Sequence, residues 1–143
     1  MKRVVIDTNM LISFVTDRNL EQQGRAARIF ESAKRSQITV LCHQNVVTEF
    51  VYVLDRIYHV APITVQGMLR DLIDMPGVEL VNDLDFSCLL AVWPDKCPDY
   101  GDAVLLAFCK GHKDIRLATF DRKFAKVSHD IGIKMYEDID DMA

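Results

Sequence analysis

The chain has 143 residues, half of them hydrophobic, and its 21 acidic against 17 basic side chains leave a net charge of −4. That length suits one domain able to bury roughly 70% of its unfolded surface in one core, so residues 1–143 are expected to form a single domain. The negative balance excludes a protein that holds nucleic acid through a globally basic surface, but not one with a local basic rim. The longest purely apolar run, Ala103 to Cys109, is far short of the ~20 residues that cross a bilayer. Only Val4-Val5-Ile6 separates the opening Met-Lys-Arg from Asp7, too little for the apolar region of a signal peptide. Cysteines at 42, 88, 97 and 109 form no Cys-x-x-Cys pair, which predicts reduced structural thiols in a cytoplasmic protein.

In chain order, β-branched Arg3 to Ile6 reads as a strand that runs through Asp7-Thr8-Asn9 into an apolar helix. Leu20 to Arg35 predicts an amphipathic helix, with Ala26, Ala27, Ile29, Phe30 and Ala33 on one side and Arg25, Arg28 and Arg35 on another. Ile38 to Cys42 is a strand. Asn45 to Tyr58 is an apolar helix with Gln44 or Asn45 near its start. Pro62 to Met75 is a helix stopped by Pro76-Gly77, Val78 to Val81 a strand, and Asp83 to Val92 a helix ending before Trp93-Pro94. Asp99 to Cys109 (helix), Ile115 to Phe120 (strand), Asp121 to Ser128 (helix) and Lys134 to Tyr136 (strand) complete the series. Such alternation implies a parallel sheet with helices on both faces and a site at the carboxyl ends of the strands.

Asp7 and Asp121 fall at such ends. Both, like Asp99 and Asp102, also have an ordinary explanation as caps or first-turn acids of the helices that follow. Glu49 has none, because it lies mid-helix. It shares a face with Val46, Tyr52 and Val53, which are expected in the core, and no Lys or Arg occurs between Arg35 and Arg56. Its charge therefore needs a distant partner or a metal. Carboxylates gathered at ~4 Å repel by roughly 4 kcal/mol per pair at an effective dielectric near 20, which a bound cation would offset. Oxygen donors without His or Cys at ligand spacing point to Mg²⁺ or Mn²⁺ rather than Zn²⁺. His43, His59, His112 and His129 show no metal or triad spacing and are read as surface or satisfied polar groups.

The stretches around Asp7-Thr8-Asn9, Thr48-Glu49, Asp99 to Asp102 and Thr119-Phe120-Asp121 resemble, in order and spacing, the PIN-domain ribonucleases over residues 3 to 136, most closely the VapC-type toxins of toxin-antitoxin pairs. The resemblance implies a PIN-like three-layer α/β/α sandwich with a mostly parallel sheet. It implies Asp7, Asp102 and Asp121 as metal ligands, Glu49 completing a catalytic quartet, and Asn9, Asp99 and Thr119 in support. It further implies an RNA substrate, a small antitoxin as partner and a homodimer. Arg25, Arg28, Arg122, Lys123 and Lys126 are candidates for phosphate contacts, although a solvated helical face is the commoner explanation for such charges. An aspartyl-phosphate phosphatase would need a carboxylate two residues after Asp7, where Asn9 stands. A receiver domain would need an Asp after Val40-Leu41-Cys42. A non-catalytic scaffold of the same fold would be expected to have lost acids that this chain keeps.

Overall fold

The structure, a computed structural model, describes residues 2–137. Its elements are β1 (Lys2–Ile6), α1 (Thr8–Val15), α2 (Leu20–Lys34), β2 (Ile38–His43), α3 (Gln44–Arg56), α4 (Pro62–Asp74), β3 (Val78–Val81), α5 (Phe86–Val92), α6 (Tyr100–Lys110), β4 (Ile115–Ala118), α7 (Arg122–Asp130) and β5 (Lys134–Met135). The five strands form one sheet in the order β3-β2-β1-β4-β5, parallel at every pairing. Val4 lies opposite Val40 in β2 and Arg116 in β4. The central strands are apolar along both faces, with Val4, Val5, Ile6, Val40, Leu41, Cys42 and Leu117 fully buried, as a sheet covered by helices on both sides requires.

The connections β1–β2 and β2–β3 step one way across the sheet, whereas β3–β4 crosses back over two strands and β4–β5 continues outward. Right-handed crossovers then place α1 to α4 on one face and α5 to α7 on the other. α6 spans the second layer as a helix apolar all round, buried at every position from Ala103 to Cys109. The reversal of direction lies between β1 and β4. At such a switch point the two following loops diverge and leave a crevice beyond the carboxyl ends of the strands.

Several boundaries depart from the sequence reading. α5 starts at Phe86 rather than Asp83, because the Asp85 carboxylate accepts from the backbone N–H groups of Ser87 and Cys88 and caps the helix there. α3 is capped by neither Gln44 nor Asn45 but by His43, whose Nδ1 accepts from Asn45 N at 3.0 Å. The ring's proton is therefore on Nε2, which donates to the Asp83 carbonyl at 2.8 Å, so this buried histidine is a satisfied polar group. Ala27, expected on the apolar side of α2, is exposed, while Ala26, Ile29, Phe30 and Ala33 are buried. No described helix is long and apolar enough to cross a membrane.

Candidate active site

β1 ends at the switch point with Asp7, which is both a cap and a member of an acidic cluster. One carboxylate oxygen accepts from Met10 N at 2.9 Å, closing the first turn of α1, and the other accepts a hydrogen bond from the Thr119 hydroxyl. Thr119, just past β4, in turn accepts from Asp121 N at 3.1 Å, and the Asp121 carboxylate caps α7 by accepting from Phe124 N. Thr119 thus ties the ends of the two central strands together across the crevice. From the opposite layer α6 brings Asp102 in its first turn, and the Asp99 carboxylate caps this helix by accepting from Asp102 N at 2.9 Å.

Glu49 arrives by a different route from the one its sequence suggested. It lies on the exposed side of α3 and Tyr52 is 61% exposed, so of the supposed core neighbours only Val46 is fully buried. Its distant partner is the Thr8 hydroxyl, which donates to Oε2 at 3.1 Å. Gly101 lies just behind: a Cβ built there would be 3.0 Å from Glu49 Oε2 and 3.4 Å from the Asn45 amide nitrogen. Neither Thr8 nor Gly101 was marked by the sequence as part of the site. Each acts across a long separation, and an Asp-Thr-Asn turn or a glycine in a helix's first turn reads locally as backbone chemistry.

The electrostatics follow from burial. Asp7 is 4% exposed, and loss of solvent, helped by the charges of Asp121 and Glu49, pushes it up to about 6 against the opposing pull of its Thr119 and Met10 hydrogen bonds. Asp102 is pushed up to about 7 by burial first, then by Asp99, Asp7, Asp121 and Glu49. Every charged neighbour acting on these two groups is another carboxylate, and none of the four acids is ion-paired to Lys or Arg among the described residues. All donors are hard oxygens, which fits a divalent cation of the Mg²⁺ type. The described residues hold no three Asp, Glu, His or Cys side chains already drawn into a ligand set, so the acids stand within electrostatic reach of one another but not closed on a point.

The supporting residues divide. Thr119 and Asp99 make the bonds given above. Asn9 is exposed, and its carbonyl accepts from Arg18 at 3.0 Å. The Arg18 guanidinium also donates to Ser13 Oγ, pinning the loop after α1 back onto that helix. Of the basic candidates, Arg25 lies over the Phe120 ring at 5.0 Å, next to Asp121. Arg122 and Lys123 are exposed in the first turn of α7, Lys126 one turn on, and Arg28 is exposed on α2. Positive charge at a helix N-terminus opposes the macrodipole, so helix stability does not account for Arg122 and Lys123.

A parallel sheet with helices on both faces in this order is the fold of the PIN domain, and the chain belongs to that family, whose model matches residues 4–130. Among solved structures it is similar to Mycobacterium tuberculosis VapC20, a sarcin-ricin loop cleaving toxin. That match has 17% identity over 94% of this chain and 98% of that one, with a TM-score of 0.64. It is also similar to the PIN domain endonuclease Utp24, with 19% identity over 92% of this chain and 80% of that one, at a TM-score of 0.54. No curated protein sequence matches the chain.

Proposed function

We propose that the chain is a single-domain, Mg²⁺- or Mn²⁺-dependent endoribonuclease, the toxin of a type II toxin-antitoxin pair, acting in the cytoplasm as a homodimer and held inactive by a small antitoxin. The observation that carries the nuclease reading is that Asp7, Glu49, Asp102 and Asp121 stand within electrostatic reach of one another, none of them ion-paired to Lys or Arg among the described residues. VapC20, matched over nearly its full length, supports the toxin role. The likeness to Utp24 supports a second reading, an RNA-processing nuclease. A short coding sequence for a DNA-binding antitoxin immediately upstream favours the first, and its absence the second.

In this reading Asp7, Asp102 and Asp121 are the residues that would hold the ion, and Glu49 would orient the attacking water. When bound, a divalent ion lowers the pKa of water and offsets charge on the leaving oxygen. The chain supplies the rest. Thr119 fixes the Asp7 carboxylate, the Asp99 cap fixes the first turn of α6 and with it Asp102, and Thr8 holds Glu49 at the rim. Arg25, Arg122 and Lys123 neutralise phosphates on either side of the scissile bond.

The test is cleavage of RNA by the purified protein with Mg²⁺ or Mn²⁺, beside Asp7→Asn and Asp102→Asn. Wild type should cleave only with the ion, and each variant should lose at least about 100-fold in rate. Full metal-dependent cleavage by both variants would overturn the site.

A further inference from the structure

At the opposite end of the sheet from the acids, a pocket of about 350 Å³ opens between the amino-terminal ends of β4 and β5 and the carboxyl end of α6. Its polar lining is Lys110, His112, Lys113 and Lys134, with Gly132 and Ile133 contributing backbone. None of the three lysines is in an ion pair among the described residues. Two acids stand near this lining: Asp114 pairs with Arg3 at 2.8 Å, and Asp83 lies 3.6 Å from His112. Lys110 has an ordinary role in the last turn of α6, where its charge suits the helix dipole. Lys134 is exposed on the edge strand β5, and Lys113 lies outside helices and strands.

An anion in this concavity would meet three exposed ammonium groups, from the end of α6, the loop after it and β5. The geometry points to a phosphate-binding site at the foot of β4 and β5, distinct from the acidic cleft and separated from it by the length of those strands. The chemistry recognised is a phosphate group. It is carried either by a single-stranded nucleic acid whose backbone runs along this edge or by a small free phosphate.

Backbone amide shifts of Lys113, Gly132 and Lys134 are followed by NMR in metal-free buffer at constant ionic strength. Inorganic phosphate and a short single-stranded RNA are titrated separately into wild type, a Lys113→Gln/Lys134→Gln double variant and a Lys113→Arg/Lys134→Arg variant. Saturable shifts at these amides are expected with at least one ligand, weakened roughly tenfold or more in the glutamine variant and retained in the arginine variant. A response to RNA alone assigns the phosphate to a strand, and an equal response to inorganic phosphate assigns it to a small ligand. Saturable shifts with neither, or unchanged affinity in the folded glutamine variant, overturn the site. Cleavage plays no part in this readout, so a failure of the nuclease reading leaves it intact.

Discussion

At the scale of single residues, Asp7 bears two loads of opposite sign. As a cap and hydrogen-bond acceptor it supports the fold, but as a buried charge among acids it opposes the fold. Its pKa in the folded protein stands at about 6 against an ordinary 3.8, so the fold holds the proton more tightly than the unfolded chain does. The contribution of that proton to stability is fully present below about 3.8 and is lost as pH rises through about 6, a difference of roughly 3 kcal/mol. In the absence of metal, acidification from pH 7 to 5 should therefore stabilise wild type relative to Asp7→Asn, whose amide caps α1 equally well. Denaturant unfolding of both proteins at the two pH values reads this directly, and an identical pH response would remove the burden from Asp7. With Mn²⁺ the sign reverses, because only the deprotonated carboxylate binds. Asp102→Asn, which relieves repulsion, should melt no lower than wild type without metal yet lose most of the stabilisation that Mn²⁺ confers. Equal Mn²⁺ stabilisation of both proteins would argue against a ligand there.

Glu49 shows what one sequence can and cannot carry at this scale. The sequence marks the residue for a partly mistaken reason: its face of α3 is largely exposed, and it reaches a hydroxyl 41 positions away. A still longer separation hid Gly101, which leaves room for the Glu49 carboxylate. Gly101→Ala should leave stability unchanged or raise it by up to about 1 kcal/mol, since alanine is the better helix former and the atom it meets is the end of a flexible side chain. Cleavage should nevertheless fall, and adding Gly101→Ala to Glu49→Gln should cause no further loss. A rate for Gly101→Ala equal to wild type would show that the displaced carboxylate is not needed where it lies.

Among the elements, periodicity and punctuation made the twelve segments legible, because buried parallel strands and amphipathic helices write their periods into the chain. Boundaries slipped where capping was decided by a side chain outside the expected set, His43 for α3 and Asp85 for α5. The strand order was not legible. Nothing local to Ile115–Ala118 states that β4 inserts beside β1, yet that pairing creates the crevice and lets Thr119 reach Asp7. Gly77 marks a further constraint on element placement. It turns the chain from α4 into β3 with φ +82, and a Cβ there would sit 2.4 Å from the Ala33 carbonyl oxygen on α2. Both the left-handed backbone and the contact penalise a side chain, so Gly77→Ala should cost at least about 2 kcal/mol in chemical denaturation. At a temperature where the variant is folded, its specific activity should match wild type, because the turn supports the edge of the sheet and touches none of the four acids. A loss well under 1 kcal/mol would mean that α2 and the turn part readily.

For the whole molecule, the sign and placement of charge set how an acidic protein holds a polyanion. With a net charge of −4, long-range attraction is weak, so affinity for RNA must come from a few local contacts around the cleft. Arg122 and Lys123 are positioned for this and are set against their helix dipole, while Arg25 is braced on Phe120 beside Asp121. Each phosphate contact with a single strand contributes about −0.7 to the slope of log affinity against log salt. Replacing Arg122 and Lys123 together by Gln should therefore weaken metal-free RNA binding similarly for unrelated sequences and flatten that slope by about 1.4. The measurement is a binding titration across a salt series with Asp102→Asn as the background, so that no cleavage intrudes. A slope unchanged within error would return both side chains to a solvated face and leave Arg25 as the cation beside the cleft for which geometry still argues.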